Sequence, residues 1–150
     1  MALSVSSMLG LQTRFAVTID GVNLGGWSKC TGLAVEFKSK TVKEGGNYEY
    51  QPILAEHIEY KPIVLERAMN AADSSKVQNW LRSKVYGWMT AQTSGGGGTA
   101  EITLLDSHLD PVASWSLRNV YPAKWDGPEL SASTFGIAVE KLTLVHEGFL

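Results

Sequence analysis

The sequence predicts a mostly-β domain of the α+β class, and three observations lead there. Alternating apolar and polar residues mark strands on both sides of the chain's midpoint. The cleanest run is Leu33 to Val42, where Leu33, Val35 and Phe37 face one way and Glu36, Lys38 and Lys40 the other. Helical periodicity is carried by a single stretch, in which Val77, Trp80, Leu81, Val85 and Trp88 fall on one face. Strands precede and follow that helix without βα alternation, and no repeat of roughly twenty to fifty residues exists, so an α/β sheet and a solenoid are both set aside.

In chain order, residues 1–13 read as a flexible arm, small and polar from Ser4 to Thr13. Arg14 to Asp20 alternates, with Phe15, Val17 and Ile19 on one face, and Asp20-Gly21 supplies a turn. A second, Gly-rich strand is expected at Asn23 to Cys30, followed by the long strand to Val42. Its return strand is expected at Ile58 to Arg67, which leaves Lys43 to His57 as a connection longer than a hairpin loop. The helix is expected at 74–89, with Asp73 or Ser74 as N-cap and Thr93 to Gly98 ending it. Strands then follow at Thr99 to Asp106 and Val112 to Val120, joined by a turn at Ser107 to Pro111. Pro122 to Pro128 reads as a Pro-bounded turn carrying Trp125, and Thr134 to Glu147 as the last strand.

Bulk properties narrow the function classes. A length of 150 residues suits one domain with a real core. A net charge of −2, without any Lys/Arg cluster, argues against a dedicated nucleic-acid binder and suits many copies packed side by side. Cys30 is the only cysteine, so it makes no internal disulfide and no zinc site, and reads as a small buried residue. The start lacks a basic n-region and a long apolar run, so synthesis in the cytoplasm without a signal peptide is expected. No apolar stretch is long enough to span a bilayer as a helix.

Motifs for chemistry are weak. Gly95 to Ala100 satisfies a dinucleotide-loop pattern, but it follows a helix and opens a strand, the reverse of what phosphate binding needs. His57, His108 and His146 lack metal-ligand spacing, and no G-x-S-x-G elbow accompanies any of them. Glu56 and Glu59 read as solvated or salt-bridged surface rather than as an acid/base couple. Trp80 and Trp88, on the apolar stripe, are expected in the core, while Trp27, Trp115 and Trp125 suit either core or subunit interface. No catalytic residue, metal or cofactor is expected.

As a monomer the chain has too little cover. Several strands need apolar shielding, one helix supplies it, and open sheets leave unpaired edges that invite other chains. Closing a sheet across copies removes those edges, and a barrel of many strands has a wide wet lumen.

Particular motifs then point to a family. They are Phe15-Ala-Val-Thr-Ile-Asp-Gly21, Cys30-Thr-Gly-Leu33, Val42-Lys-Glu-Gly-Gly-Asn47, Pro62-Ile-Val-Leu-Glu-Arg67, Pro122-Ala-Lys-Trp125 and the Glu140 to Phe149 terminus with its His146-Glu-Gly-Phe149 end. In this order the chain resembles the inner-tube (tail-tube) proteins of contractile phage tails and contractile injection systems. The resemblance implies two packed antiparallel sheets, sandwich-like or barrel-like, with a helix on the flank, in one domain over residues 1–150. It implies a structural subunit rather than an enzyme. Hexameric rings would stack into a rigid hollow tube that a contracting sheath drives through a target envelope. The implied partners are further copies of the chain, the sheath protein, baseplate or spike proteins and tube-cap proteins, with protein cargo or phage DNA in the lumen and no direct membrane anchoring. The tube would end in a phage tail or phage-tail-like particle, cytoplasmic or released by lysis. Two other readings stand beside this one: a monomeric β-sandwich binding module, for example for carbohydrate, and a minor tube-capping or spike-adaptor paralogue.

Within the tube reading, Glu36, Lys38, Lys40, Glu59 and Lys61 are expected to line the lumen. Opposite charges at cross-strand spacing would give a hydrophilic, weakly charged wall. The inter-ring contact is expected at Lys43, Glu44, Gly45, Gly46, Asn47, Tyr48, Glu49, Tyr50, Gln51 and Pro52, whose tyrosines suit an interface.

Overall fold

The structure, a computed structural model, describes residues 15–46, 48–90, 98–133 and 135–150. The expected N-terminal arm, Asn47 of the long connection, most of the glycine run and Thr134 lie outside the described residues. Among the described residues, nine strands and one helix follow in order: β1 (Phe15–Ile19), β2 (Val22–Asn23), β3 (Lys29–Thr31), β4 (Val35–Thr41), β5 (Ile53–Tyr60), β6 (Ile63–Ala68), α1 (Ala71–Thr90), β7 (Gly98–Leu105), β8 (Pro111–Asp126) and β9 (Val139–Val145).

Seven strands run in the order β2-β1-β7-β8-β9-β6-β3, every neighbouring pair antiparallel. The sixteen-residue β8 turns this order into two layers. Up to Val120 it pairs with β7, and from Tyr121 it pairs with β9. Asn119, at a left-handed φ of 52°, sits just before the exchange. The result is sandwich-like, not a closed barrel. Val17, Ile19, Ala100, Ile102 and Leu117 come to the core from one layer, and Ile63, Leu65, Leu142 and Leu144 from the other. Alternation explains why: in β6, residues Ile63, Leu65 and Arg67 point inward while Val64 and Glu66 are only half-buried.

Helix α1 adds Val77 and Trp80 to that core. It begins earlier than the sequence suggested, because Asn70 rather than Asp73 or Ser74 caps it: the Asp73 amide donates to Asn70 Oδ1 at 2.8 Å. Asp20 ties the helix to the sheet, accepting from Trp80 Nε1 at 2.8 Å and pairing with Lys84 Nζ at 3.0 Å. Burial works against that carboxylate, but the Trp80 and Lys84 partners outweigh it and hold Asp20 below its ordinary value.

Three further expectations are corrected. The Pro122 to Pro128 turn is strand as far as Asp126, because Pro122, which has no N–H to give, sits at a register shift between Pro122 and Lys124 where the ladder is interrupted anyway. The return strand starts at Ile53 rather than Ile58 and is divided at Lys61-Pro62 into β5 and β6. Finally, Trp88 is not core: with Val85 it is exposed, so only the first half of the helix stripe is covered.

Candidate assembly interface

The functional geometry starts at a bend. β3 pairs with β6 and β4 pairs with β5, so the two pairs form one long ribbon interrupted at Gly32 to Ala34 and Lys61-Pro62. Gly32 has φ +98°, and a Cβ there would overlap the Pro62 carbonyl oxygen, so glycine is required for the two chains to cross this closely. Beyond the bend, β4–β5 is a separate two-stranded sheet. It is an arm extending from the sandwich.

Residues directly opposite each other share a face. The register Glu36↔Glu59 and Lys38↔His57 therefore assembles one charged face, and Phe37↔Ile58 with Thr41↔Ile53 assembles the other. On the charged face Lys38 Nζ lies 2.9 Å from Glu36 Oε2 and 3.7 Å from Glu59 Oε2. Glu59 Oε1 also meets His57 Nε2 at 2.9 Å. Hydrogen bonding to Lys38 lowers the Glu36 carboxyl and the same contact raises Lys38, while hydrogen bonding to His57 lowers Glu59. Three of the five residues expected in the lumen are thus in direct contact. Lys40 continues the face opposite Leu54, and Lys61 lies just past β5, close enough for its charge to help lower Glu36. His57 was missed as a member, since the sequence reading placed it in the connection.

The other face is apolar and uncovered. Phe37 is 67%, Ile53 73% and Ile58 50% exposed. Only its base is closed: Tyr60 stacks edge-on against Phe149, ring centroids 5.1 Å apart, and against His146 at 5.4 Å. His146 accepts at Nδ1 from the Gly148 amide and donates from Nε2 to the Lys61 carbonyl, which fixes the neutral tautomer. Burial lowers the imidazole against the opposing pull of that carbonyl.

At the arm's tip the Val42 amide donates to the Pro52 carbonyl at 2.9 Å, which closes the hairpin and leaves 43–51 as the loop. Lys43, Glu44, Gly45 and Gly46 are exposed, as are Tyr48, Glu49, Tyr50 and Gln51, and Pro52 is half-buried. Tyr48 is 97% exposed. The described members of the expected contact set are therefore together on or at the base of one projecting loop.

Elsewhere Cys30 is half-buried, and burial pushes its thiol up to about 11, far from a reactive thiolate. Among the described residues no group of His, Cys, Asp and Glu side chains is arranged to hold a metal ion, and no helix is long and apolar enough to cross a membrane.

A family model for the T4-like virus tail tube protein gp19 matches residues 11–150. The chain belongs to the T4-like virus tail tube protein family. Its role is that of a structural tube subunit of a phage tail or a phage-tail-like particle. No curated protein matches this tail tube protein. Among solved structures, a chain of the anti-feeding prophage (AFP) baseplate has its fold at TM-score 0.71 and 22% identity, over 94% of this chain and 93% of that one. A chain of the sheath–tube complex of an extracellular contractile injection system, PVC, in the extended state matches at TM-score 0.71 and 15% identity, over 97% and 95%. A chain of the AFP tube-terminating cap matches at TM-score 0.71 and 18% identity, over 99% and 91%.

Proposed function

We propose that this tube subunit forms hexameric rings, that the rings stack into a hollow tube inside a contractile sheath, and that the charged face of the β4–β5 arm lines the lumen. One observation carries the reading: the arm is a two-stranded sheet exposed on both faces in a single copy. An isolated hairpin of that kind is marginal in water at best, so it needs further strands or a packing partner. Joining arms from neighbouring copies into one barrel supplies both, and it sorts the two faces. The apolar face turns to protein and the face of Glu36, Lys38, Lys40, His57 and Glu59 turns to water, with Lys61 at its base. Mixed charges that neutralise each other in place give protein cargo or DNA little to adhere to. The 43–52 loop then meets the next ring, and the outer surface meets the sheath, baseplate and cap.

A catalytic role has no support in this geometry, whereas an uncovered apolar arm is what an assembly protein needs. Negative-stain and cryo-electron microscopy of native particles tests the proposal. Six-fold rings stacked in register, with β4–β5 innermost, are expected. Particles in which the chain occurs only as a monomer, or with the arm on the outside, overturn it.

A further inference from the structure

The arm hangs from a bend, and residues 146–149 close around that bend. Neither β4 nor β5 shares a ladder with the sandwich, so strand pairing does not set the arm's angle. Residues 146–149 form a strap anchored on the sandwich. Beyond β9 they run on beside the first half of β8, where the Glu147 amide donates to the Arg118 carbonyl at 2.8 Å and the Arg118 amide to the Gly148 carbonyl at 2.9 Å. From this strap His146 and Phe149 pack their rings against Tyr60, the last residue of β5. Gly148 completes the seat. It is buried at φ +136°, and a Cβ there would overlap the Tyr60 ring and the Arg118 guanidinium, so the ring lies directly on the strap backbone. His146 also reaches the bend itself, donating from Nε2 to the Lys61 carbonyl at 3.1 Å.

We infer that residues 146–149 are an acid-sensitive latch that fixes the angle of the β4–β5 arm, set while His146 is neutral and released when it is protonated. The inference rests on the ring reading above and adds its regulation, because an arm must stand at one angle to meet the arms of its neighbours. The chemistry lies at Nδ1. In the neutral ring it accepts from the Gly148 amide at 3.1 Å. Protonation puts an N–H there as well, so two donors face each other and the strap must part. Around the ring stand the Tyr60 phenol from β5, Lys61 at the bend, Arg118 and Tyr121 from β8, and Glu147 beside it in the strap. Arg118 donates to the Leu150 carbonyl oxygen, and Glu147 is exposed. Glu59, next to Tyr60, lies on the arm's other face and is taken up by Lys38 and His57. The charged imidazole therefore gains no ion pair to replace the bond it loses. Burial keeps the ring's proton affinity below the ordinary 6.5, so the latch is set at neutral pH and opens as the medium turns acid.

Double electron–electron resonance on dilute, unassembled subunits reads the arm directly. Spin labels at Lys40→Cys on the arm and Ser116→Cys on the sandwich, both exposed positions, report their separation in a Cys30→Ser background. One narrow distance distribution is expected at pH 7.5 and a broad one at pH 5, with circular dichroism unchanged between the two. His57, the arm's own histidine, supplies the control. His57→Gln should broaden as the parent does, while His146→Gln should give the same distribution at both pH values. Ring yield from the wild-type chain, counted by electron microscopy, should follow the distributions. With the fixed-arm fraction cut to about a tenth, ring association weakens about tenfold. The latch is overturned by a parent distribution that does not change with pH, or by broadening that comes with a loss of circular dichroism. Broadening that persists in His146→Gln, or disappears in His57→Gln, overturns it too. Equal ring yield at both pH values from a chain whose arm broadens overturns its role in assembly. A chain that forms no rings at either pH overturns the ring reading, and the subunit distances then still decide the latch.

Discussion

Arg67 Nε lies 2.6 Å from Glu140 Oε1, and both side chains are shut away from solvent. The pair is not isolated. Arg67 also donates to the carbonyls of Leu24 at 2.6 Å and Asp73 at 2.8 Å, and its guanidinium stacks on Trp27 at 4.0 Å from the ring centroid. Glu140 accepts from Ser74 Oγ at 3.0 Å and Trp125 Nε1 at 3.2 Å. One ion pair therefore ties together β6, β9, the start of α1, the β2–β3 connection and the second half of β8.

Removing one member of such a pair strands the other charge in the interior. Glu140→Ala is expected to destabilise the subunit by about 3–5 kcal/mol. Urea unfolding measures this: the midpoint should fall while the slope stays unchanged. A loss of under about 1 kcal/mol, the scale of an exposed pair, would show that Arg67 is satisfied by the carbonyls alone.

The fold was legible where burial is one-sided. β1, β6 and the first half of α1 showed the right period because one face of each meets the core and the other meets water. The charged face of the arm was legible from charge alternation alone, since Glu36, Lys38 and Lys40 take every second position of β4 although both of its faces are exposed. Reading failed where a segment is uncovered in the subunit or its partner lies far along the chain. Residues Ile53 to His57 looked like loop because both faces of that strand are exposed in one subunit, so no periodic contrast marks it. Trp88 looked like core because an exposed apolar stripe has the same helical spacing as a covered one. Arg67 and Glu140 were each visible only as charges inside strand motifs, seventy-three positions apart, and sequence alone gives no reason to pair them.

The neutral His146 clasp gives a pH signature. Its folded-state pKa lies below the ordinary 6.5, so the unfolded chain binds a proton more readily. The clasp's contribution is then fully present above about 6.5 and is lost as pH falls through the folded-state value. His146→Gln removes the titration but leaves the nearby carboxylates alone. The melting-temperature difference between wild type and variant is expected to be larger at pH 7.5 and to shrink toward pH 5. A difference that grows on acidification would mean that the charged imidazole is the stabilising form.

Lumen exposure can be read chemically. Lys40→Cys in a Cys30→Ser background presents one thiol on the charged face, two residues along the strand from Lys38. A small maleimide should modify it in both dissociated subunits and assembled tubes. A bulky PEG-maleimide should modify the subunits and spare the tubes by at least about tenfold, because it must diffuse along the channel. Equal reaction of both reagents with intact tubes would place that face on the outside.

The loop between Thr41 and Ile53 carries the last prediction. Tyr48 and Tyr50 are 97% and 66% exposed, on a loop whose base is pinned by the Val42 to Pro52 hydrogen bond. Tyrosine contributes large contact area for little side-chain entropy, and much of both rings faces water. The loop also lies at the tip of the arm, away from the core residues that hold the sandwich together. Tyr48→Ala with Tyr50→Ala should therefore leave the subunit's circular dichroism and melting temperature unchanged, while rings still form. What should fall is stacking, with the ring-to-ring association constant dropping roughly tenfold for a loss near 1.4 kcal/mol per ring–ring contact, and mean tube length falling with it. Tubes of normal length from the double variant would assign the axial contact to another surface. A loss of rings as well as tubes would place the loop at the contact within a ring.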